Sequence, residues 1–181
     1  MALTPAVEAL WTELETVREK VVKEAEGLSQ AQADWRPSDT DWSVGEILHH
    51  LTLAEINTGK LTSKLIKEAD AAGKLAPYPS DLKGFAPLPP QTPGPMEAPP
   101  VVRPEKGHPI VQLRADMKST RERSRQSIER LAGVDARPLI WKHFALGDLN
   151  LAQWWMLQAR HDADHLQQLQ AVKASSGFPK A

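Results

Sequence analysis

WWMLQARHDADHLQQL, residues 154–169, is the stretch on which the fold turns. Successive residues of an α-helix are about 100° apart, so His161 and His165 differ by about 40° around the axis and stand one turn apart along it. With the two histidines at about −20° and +20°, Trp154 and Val172 fall near about 0°, Leu151 and Leu169 near about 60°, and Leu157 near about −60°. The segment reads as an amphipathic helix expected to carry both imidazoles at the middle of its apolar stripe. Imidazoles in that position need partners at both ring nitrogens. A metal ion at about 2.0–2.1 Å from one nitrogen, with a hydrogen bond at the other, would supply them. The same spacing occurs in hydrogen-bonded core histidines, so a third donor must be sought elsewhere in the chain.

Upstream of this helix, Asn150 and Gln153 form an amide version of the capping box, and the stretch from Gly133 to Asp148, with Trp141, His143 and Gly147, reads as a loop. Before the loop, Ile110, Leu113, Met117, Thr120, Ser124, Ile128 and Leu131 recur at spacings of three and four; the small polar residues in the middle of this helix would leave room for a cavity. Thr4-Pro5 opens the first helix, which carries Val7, Leu10, Leu14, Val17 and Val21 and ends near Gly27. Ser43-Val44-Gly45-Glu46 is a capping box that starts the second, with Ile47, Leu51, Ala54, Leu61 and Leu65 on one side and an end near Ala72, before Gly73. Residues 77–109 hold 11 of the 15 prolines, too many for regular helix or sheet. They read as a long extended connection, either a crossover strapped across the surface, a lid or a mobile linker. Four helices without strand alternation predict an all-α four-helix bundle with a Pro-rich crossover between helices two and three, and 181 residues suit a single domain.

Composition narrows the function. With 22 basic and 23 acidic residues the net charge is −1 and no basic stripe is visible, so nucleic acid is not an expected partner. No apolar run approaches the length of a membrane span, and MALTPAVEALWTELE has carboxylates where a signal peptide would be basic and then apolar; a cytoplasmic protein is expected. The chain has no cysteine, which leaves nitrogen and oxygen as metal ligands and excludes a thiolate nucleophile of its own. The six tryptophans are expected mainly to pack and to anchor loops.

The third donor is in WSVGEILHHL, residues 42–51. His49 and His50 point about 100° apart, and the apolar stripe of their helix centres about 60° from His50 and about 160° from His49. His50 is thus the inward histidine and His49 is expected on the solvated surface. Three neutral nitrogens match an open zinc site and also suit nickel, iron or manganese, with a further coordination position for water or substrate.

WSVGEILHHL followed by Ala54-Glu55, together with HFALGDL at 143–149 and HDADHLQQL at 161–169, resembles the paired signatures of the DinB/YfiT-like metalloprotein superfamily. The resemblance extends from Trp35-Arg36-Pro37 to Gln168 and implies a four-helix bundle with a crossover, often dimeric, whose metal ligands are His50, His161 and His165. It further implies thiol-dependent S-transferases and isomerases, a hydrolase group, and many members without an assigned reaction. The expected function is a divalent-metal-dependent S-transferase that uses a low-molecular-weight thiol cosubstrate and a small-molecule electrophile. A metal-dependent hydrolase and a non-catalytic metal-binding or ligand-binding stress protein are the alternatives. Asp162 and Asp164 flank the histidines at about 80° and −80° on the wheel. Asp162 is the candidate catalytic residue, as a proton acceptor or ligand-orienting partner, against the commoner state of an exposed helix carboxylate. His143 is expected in an exposed loop, with a place in the pocket lining as the alternative, and Gln168, one turn beyond His165, is placed to hydrogen-bond a ligand imidazole or to cap a buried polar gap.

Overall fold

The computed structural model describes residues 2–90 and 97–180. Helix α1 spans Pro5–Glu24, with Thr4 at its N-cap and Pro5 as its first residue; the Thr4 side chain makes no capping bond. Helix α3, Val44–Ala71, starts at the reciprocal Ser43–Glu46 box. The Glu46 carboxylate that closes this box is also gripped by Arg36, whose Nε donates to Oε2 at 2.7 Å. This pairing gives Trp35-Arg36-Pro37 its local role. Helix α4 is Ile110–Leu131 and α5 is Leu151–Ala174, the latter opened by the Asn150–Gln153 box.

Two short elements depart from the sequence reading. Gln30–Asp34 forms helix α2, closed by a Ser29–Gln32 capping box, inside what reads as a polar connection. Five residues are too few to show a period, although the S-x-x-Q pattern was its signal. Gly45 lets this helix approach α3 closely: a Cβ there would stand 3.2 Å from the Ala33 carbonyl oxygen. The expected loop before α5 contains an antiparallel hairpin, β1 Ile140–His143 and β2 Gly147–Asn150, in which His143 pairs with Gly147 at φ 73°.

The four long helices form the all-α bundle, with α3 against α4 and α5, and α1 against α5 and α4. Their apolar residues make two clusters. One holds Leu10, Leu14, Leu65, Ile128, Leu151 and Trp155; the other holds Val21, Ile47, Leu51, Met117, Leu169 and Val172. Between them lies a charged layer with one residue from each long helix: Arg18, Glu55, Arg121 and Asp162, all buried. Arg18 donates to Asp162 Oδ2 at 2.9 Å and contacts Glu55 Oε2 at 2.8 Å, while Arg121 Nε stands 2.9 Å from Glu55 Oε1. Two guanidiniums and two carboxylates cancel in charge, the condition under which ions can be held in a bundle interior. Arg121 thus fills the middle of α4, where Thr120 and Ser124 suggested space for a cavity; the cavity lies elsewhere, as described below.

The Pro-rich connection is tied to the bundle at several points, while its residues 91–96 lie outside the described part. Asp135 and Tyr78 tie its start to the end of α4, through Asp135 N–H to Ala76 O at 2.9 Å and Tyr78 N–H to Gly133 O at 3.3 Å. Pro87 O accepts from Gln153 Nε2 at 2.9 Å, and a 3-10 turn at Pro100–Val102 lies against α3. No helix of the described residues is long and apolar enough to cross a membrane.

Candidate metal centre

Helix α3 presents His50 and α5 presents His161 and His165 to one point, with ligand nitrogens that all lie within 4.8 Å of one another. The Nε2 atoms of His50 and His161 are 2.9 Å apart, and those of His165 and His161 are 3.1 Å apart. The outer nitrogens set the tautomers. His50 Nδ1–H donates to the Val102 carbonyl at 2.6 Å, and His165 Nδ1–H donates to Gln168 Oε1 at 2.7 Å. Both acceptors lack a proton to give back, so the Nε2 atoms of His50 and His165 are left as lone pairs. A proton on His161 Nε2 could satisfy only one of them. A shared cation would satisfy all three, and nitrogens around a tetrahedral zinc stand about 3.3 Å apart, within a few tenths of an ångström of the spacing seen. The residues therefore fit a divalent ion.

Electrostatics agree with the geometry. Burial pushes His50 down to about 4, pushes His161 well below its ordinary value and lowers His165. All three rings are neutral near pH 7, the state in which imidazole ligates a metal. Trp42 stacks on His165 at 5.8 Å with an interplanar angle of 19° and leans on His50 at 4.8 Å, restricting both rings.

The two α5 histidines are half-buried, not central to the apolar stripe. The buried face, which includes Leu151, Trp155, Gln158, Asp162 and Leu169, centres near Asp162. By charge alone Asp162 belongs on the outer face, which shifts the expected stripe; the guanidiniums that bury it, Arg18 and Arg121, are on other helices. Displacement to the edge opens the histidines to a cavity of about 590 Å³ between α3, α5, the hairpin and the strap. Trp42, Leu61, Trp141, Phe144, Trp154 and Leu157 supply apolar wall; Asn57, His143, Arg160, Asp164 and Gln168 supply polar groups. A second, more polar cavity adjoins it, sharing Trp42, His165 and Gln168 and adding Thr40, Asp41 and Arg103.

The candidate proton acceptor Asp162 is not among the residues lining either cavity. It is fully buried, with Oδ1 accepting from Arg18 Nη2 and Gln158 Nε2, each at 3.0 Å, and Oδ2 from Arg18 Nε. The reading of Asp162 as an exposed helix carboxylate is thereby corrected, whereas Asp164 is exposed and lines the cavity. His49 is half-buried instead of free on the surface: its Nδ1 accepts from Glu105 N–H at 3.0 Å and its ring meets His108 at 4.3 Å. His143 likewise lines the cavity, held by Ala145 and Leu146 N–H groups donating to Nδ1 and by an edge contact with Trp154 at 5.2 Å. The hairpin creates that placement and decides for the pocket lining over an exposed loop. Gln168 makes the expected imidazole hydrogen bond. Three of the six tryptophans, Trp42, Trp141 and Trp154, line the cavity in addition to packing.

A family model described as the DinB superfamily matches residues 13–169. Comparison with the curated proteins and with the solved structures gave no match.

Proposed function

Because this chain belongs to the DinB superfamily, we propose that it is a divalent-metal-dependent transferase that joins a low-molecular-weight thiol to a small electrophile. The observation that carries the proposal is the convergence of three neutral imidazoles on one point at the edge of a cavity of about 590 Å³. A divalent ion held there supplies Lewis acidity, lowering the pKa of a thiol or water that it binds. Since the chain has no cysteine, the thiol is a cosubstrate. Its S–H proton is lost, a C–S bond forms, and the leaving group departs with the electron pair of the bond that breaks; an epoxide opens to its alkoxide instead.

The surrounding residues act on position and exclusion. Val102 and Gln168 hold the outer nitrogens of His50 and His165, fixing the lone pairs toward the centre. Trp42 shields the same rings, and the aromatic wall accepts the apolar body of the electrophile. Asp164, exposed at the cavity edge, is placed to take the departing proton to water; Asp162 acts through the charged layer that seats α5.

The test begins with metal content, measured by mass spectrometry on untagged protein purified without a nickel column, beside His161→Ala. Near one equivalent of zinc, nickel, iron or manganese is expected in the parent and little in the variant. Metal-loaded protein is then offered a panel of cellular thiols with epoxide and halide electrophiles. Failure to accelerate any conjugation ends the transferase reading, and turnover of esters or amides without thiol would replace it with metal-assisted hydrolysis.

A further inference from the structure

We propose that Arg160 is an anion anchor and that the cavity's ligand carries a carboxylate on an aromatic or otherwise apolar body. The inference extends the preceding function to the chemistry of the small molecule, and rests on it only in taking this cavity as the substrate site. Arg160 lines the cavity one residue before His161 and is half-buried. Its Nε is shielded from solvent and has no hydrogen-bond partner among the described residues. No ion pair of the described residues includes it, whereas Arg18, Arg36 and Arg121 are all tied to carboxylates. An atom closed to water is closed to a ligand as well, so a molecule in the cavity meets the terminal nitrogens of Arg160, and a planar guanidinium is matched best by the two oxygens of a carboxylate.

The rest of the cavity describes the body of the ligand. Trp141, Phe144, Trp154 and Leu157 form its apolar wall, and Trp141 and Phe144 remain 42% and 60% exposed, leaving apolar surface for a bound molecule to cover. Beyond burial, the charge of Arg160 is what lowers His143 on the hairpin, which locates the cation on the side of that wall. Glu97 and Asp164 also line the cavity, but both are exposed and screened by water, unlike the half-buried Arg160.

The probes are 3-phenylpropanoate and its neutral counterpart 3-phenylpropan-1-ol, titrated into zinc-loaded and chelator-treated protein. Binding is read by the fluorescence of Trp42, Trp141 and Trp154 and by calorimetry. The acid should bind more tightly than the alcohol in the parent. Arg160→Gln should weaken the acid about tenfold or more with the alcohol unchanged, Arg160→Lys should retain part of the preference, and Arg103→Gln in the adjoining cavity should leave it intact. Circular dichroism of both Arg160 variants verifies their fold. Absence of acid binding, equal weakening of acid and alcohol, or an Arg160→Gln variant indistinguishable from the parent would overturn the proposal. So would loss of acid binding on zinc removal with no effect of Arg160→Gln, since the carboxylate would then be held by the ion. A protein that takes up no zinc defeats the metal-dependent function, while the acid and alcohol comparison in chelator-treated protein still decides the role of Arg160.

Discussion

His50 combines a buried ring with a ligand position, and its titration follows from burial. It gains a proton near pH 6.5 in the unfolded chain and only near about 4 in the folded one. Between those values the unfolded state holds more protons, so the stability of metal-free protein rises with pH across the window and is lost as pH falls through it. The His50 contribution amounts to about 3 kcal/mol at most, and His161 and His165 shift in the same direction. Urea midpoints of chelator-treated protein should therefore fall from pH 7 to pH 4.5, and His50→Gln should flatten the profile; equal slopes would contradict the assignment. Gln168 acts one step away from the centre. Gln168→Leu removes the acceptor of His165 Nδ1–H and is expected to weaken zinc about 10–100-fold in chelator competition, with thermal unfolding little changed. At this scale the three histidines and Gln168 were legible because a helical period states which side chains share a face. His143 and Arg160 were not, because their positions relative to the cavity depend on a hairpin that carries only weak local signals.

At the scale of elements, the strap from residue 97 to Pro109 has a function that its composition did not reveal. Proline density announced extended backbone, and extended backbone leaves carbonyl groups free to accept. The 3-10 turn at Pro100–Val102 aims one of them at His50, and Asn57 Nδ2 reaches the Val101 carbonyl at 3.4 Å. A Pro99→Gly/Pro100→Gly variant gives the unfolded chain more conformations and the strap more freedom. It should lose about 1–2 kcal/mol of stability and bind zinc several-fold more weakly, measured by denaturation and chelator competition respectively. Unchanged zinc affinity would mean that the strap covers the site without organising it. The capping boxes of α3 and α5 were readable in full, because Ser43–Glu46 and Asn150–Gln153 complete themselves within four residues.

At the scale of the whole molecule, Arg18, Glu55, Arg121 and Asp162 join all four long helices at one level. Removing a single charge leaves a buried guanidinium uncompensated, so Asp162→Asn should cost about 3–5 kcal/mol in urea denaturation. Arg18→Met/Asp162→Leu removes one charge of each sign and keeps Arg121 opposite Glu55. Its cost should be well below the sum of the two single variants, and simple additivity would show that the layer is not energetically coupled. The layer also seats α5 so that Asp162 faces inward and the histidines stand at the cavity edge.

The sequence by itself determined the four long helices, the caps that begin two of them, the choice of His50 over His49 and the pairing of His161 with His165. Each depends on residues within a few turns of one another, where backbone geometry alone sets direction. Only the tertiary structure decided that Asp162 is buried, that His49 and His143 are engaged, that Arg160 lines the cavity and that Val102 holds His50. Those outcomes depend on partners from distant segments, and whether a charged or polar side chain is buried is settled by the groups that meet it there.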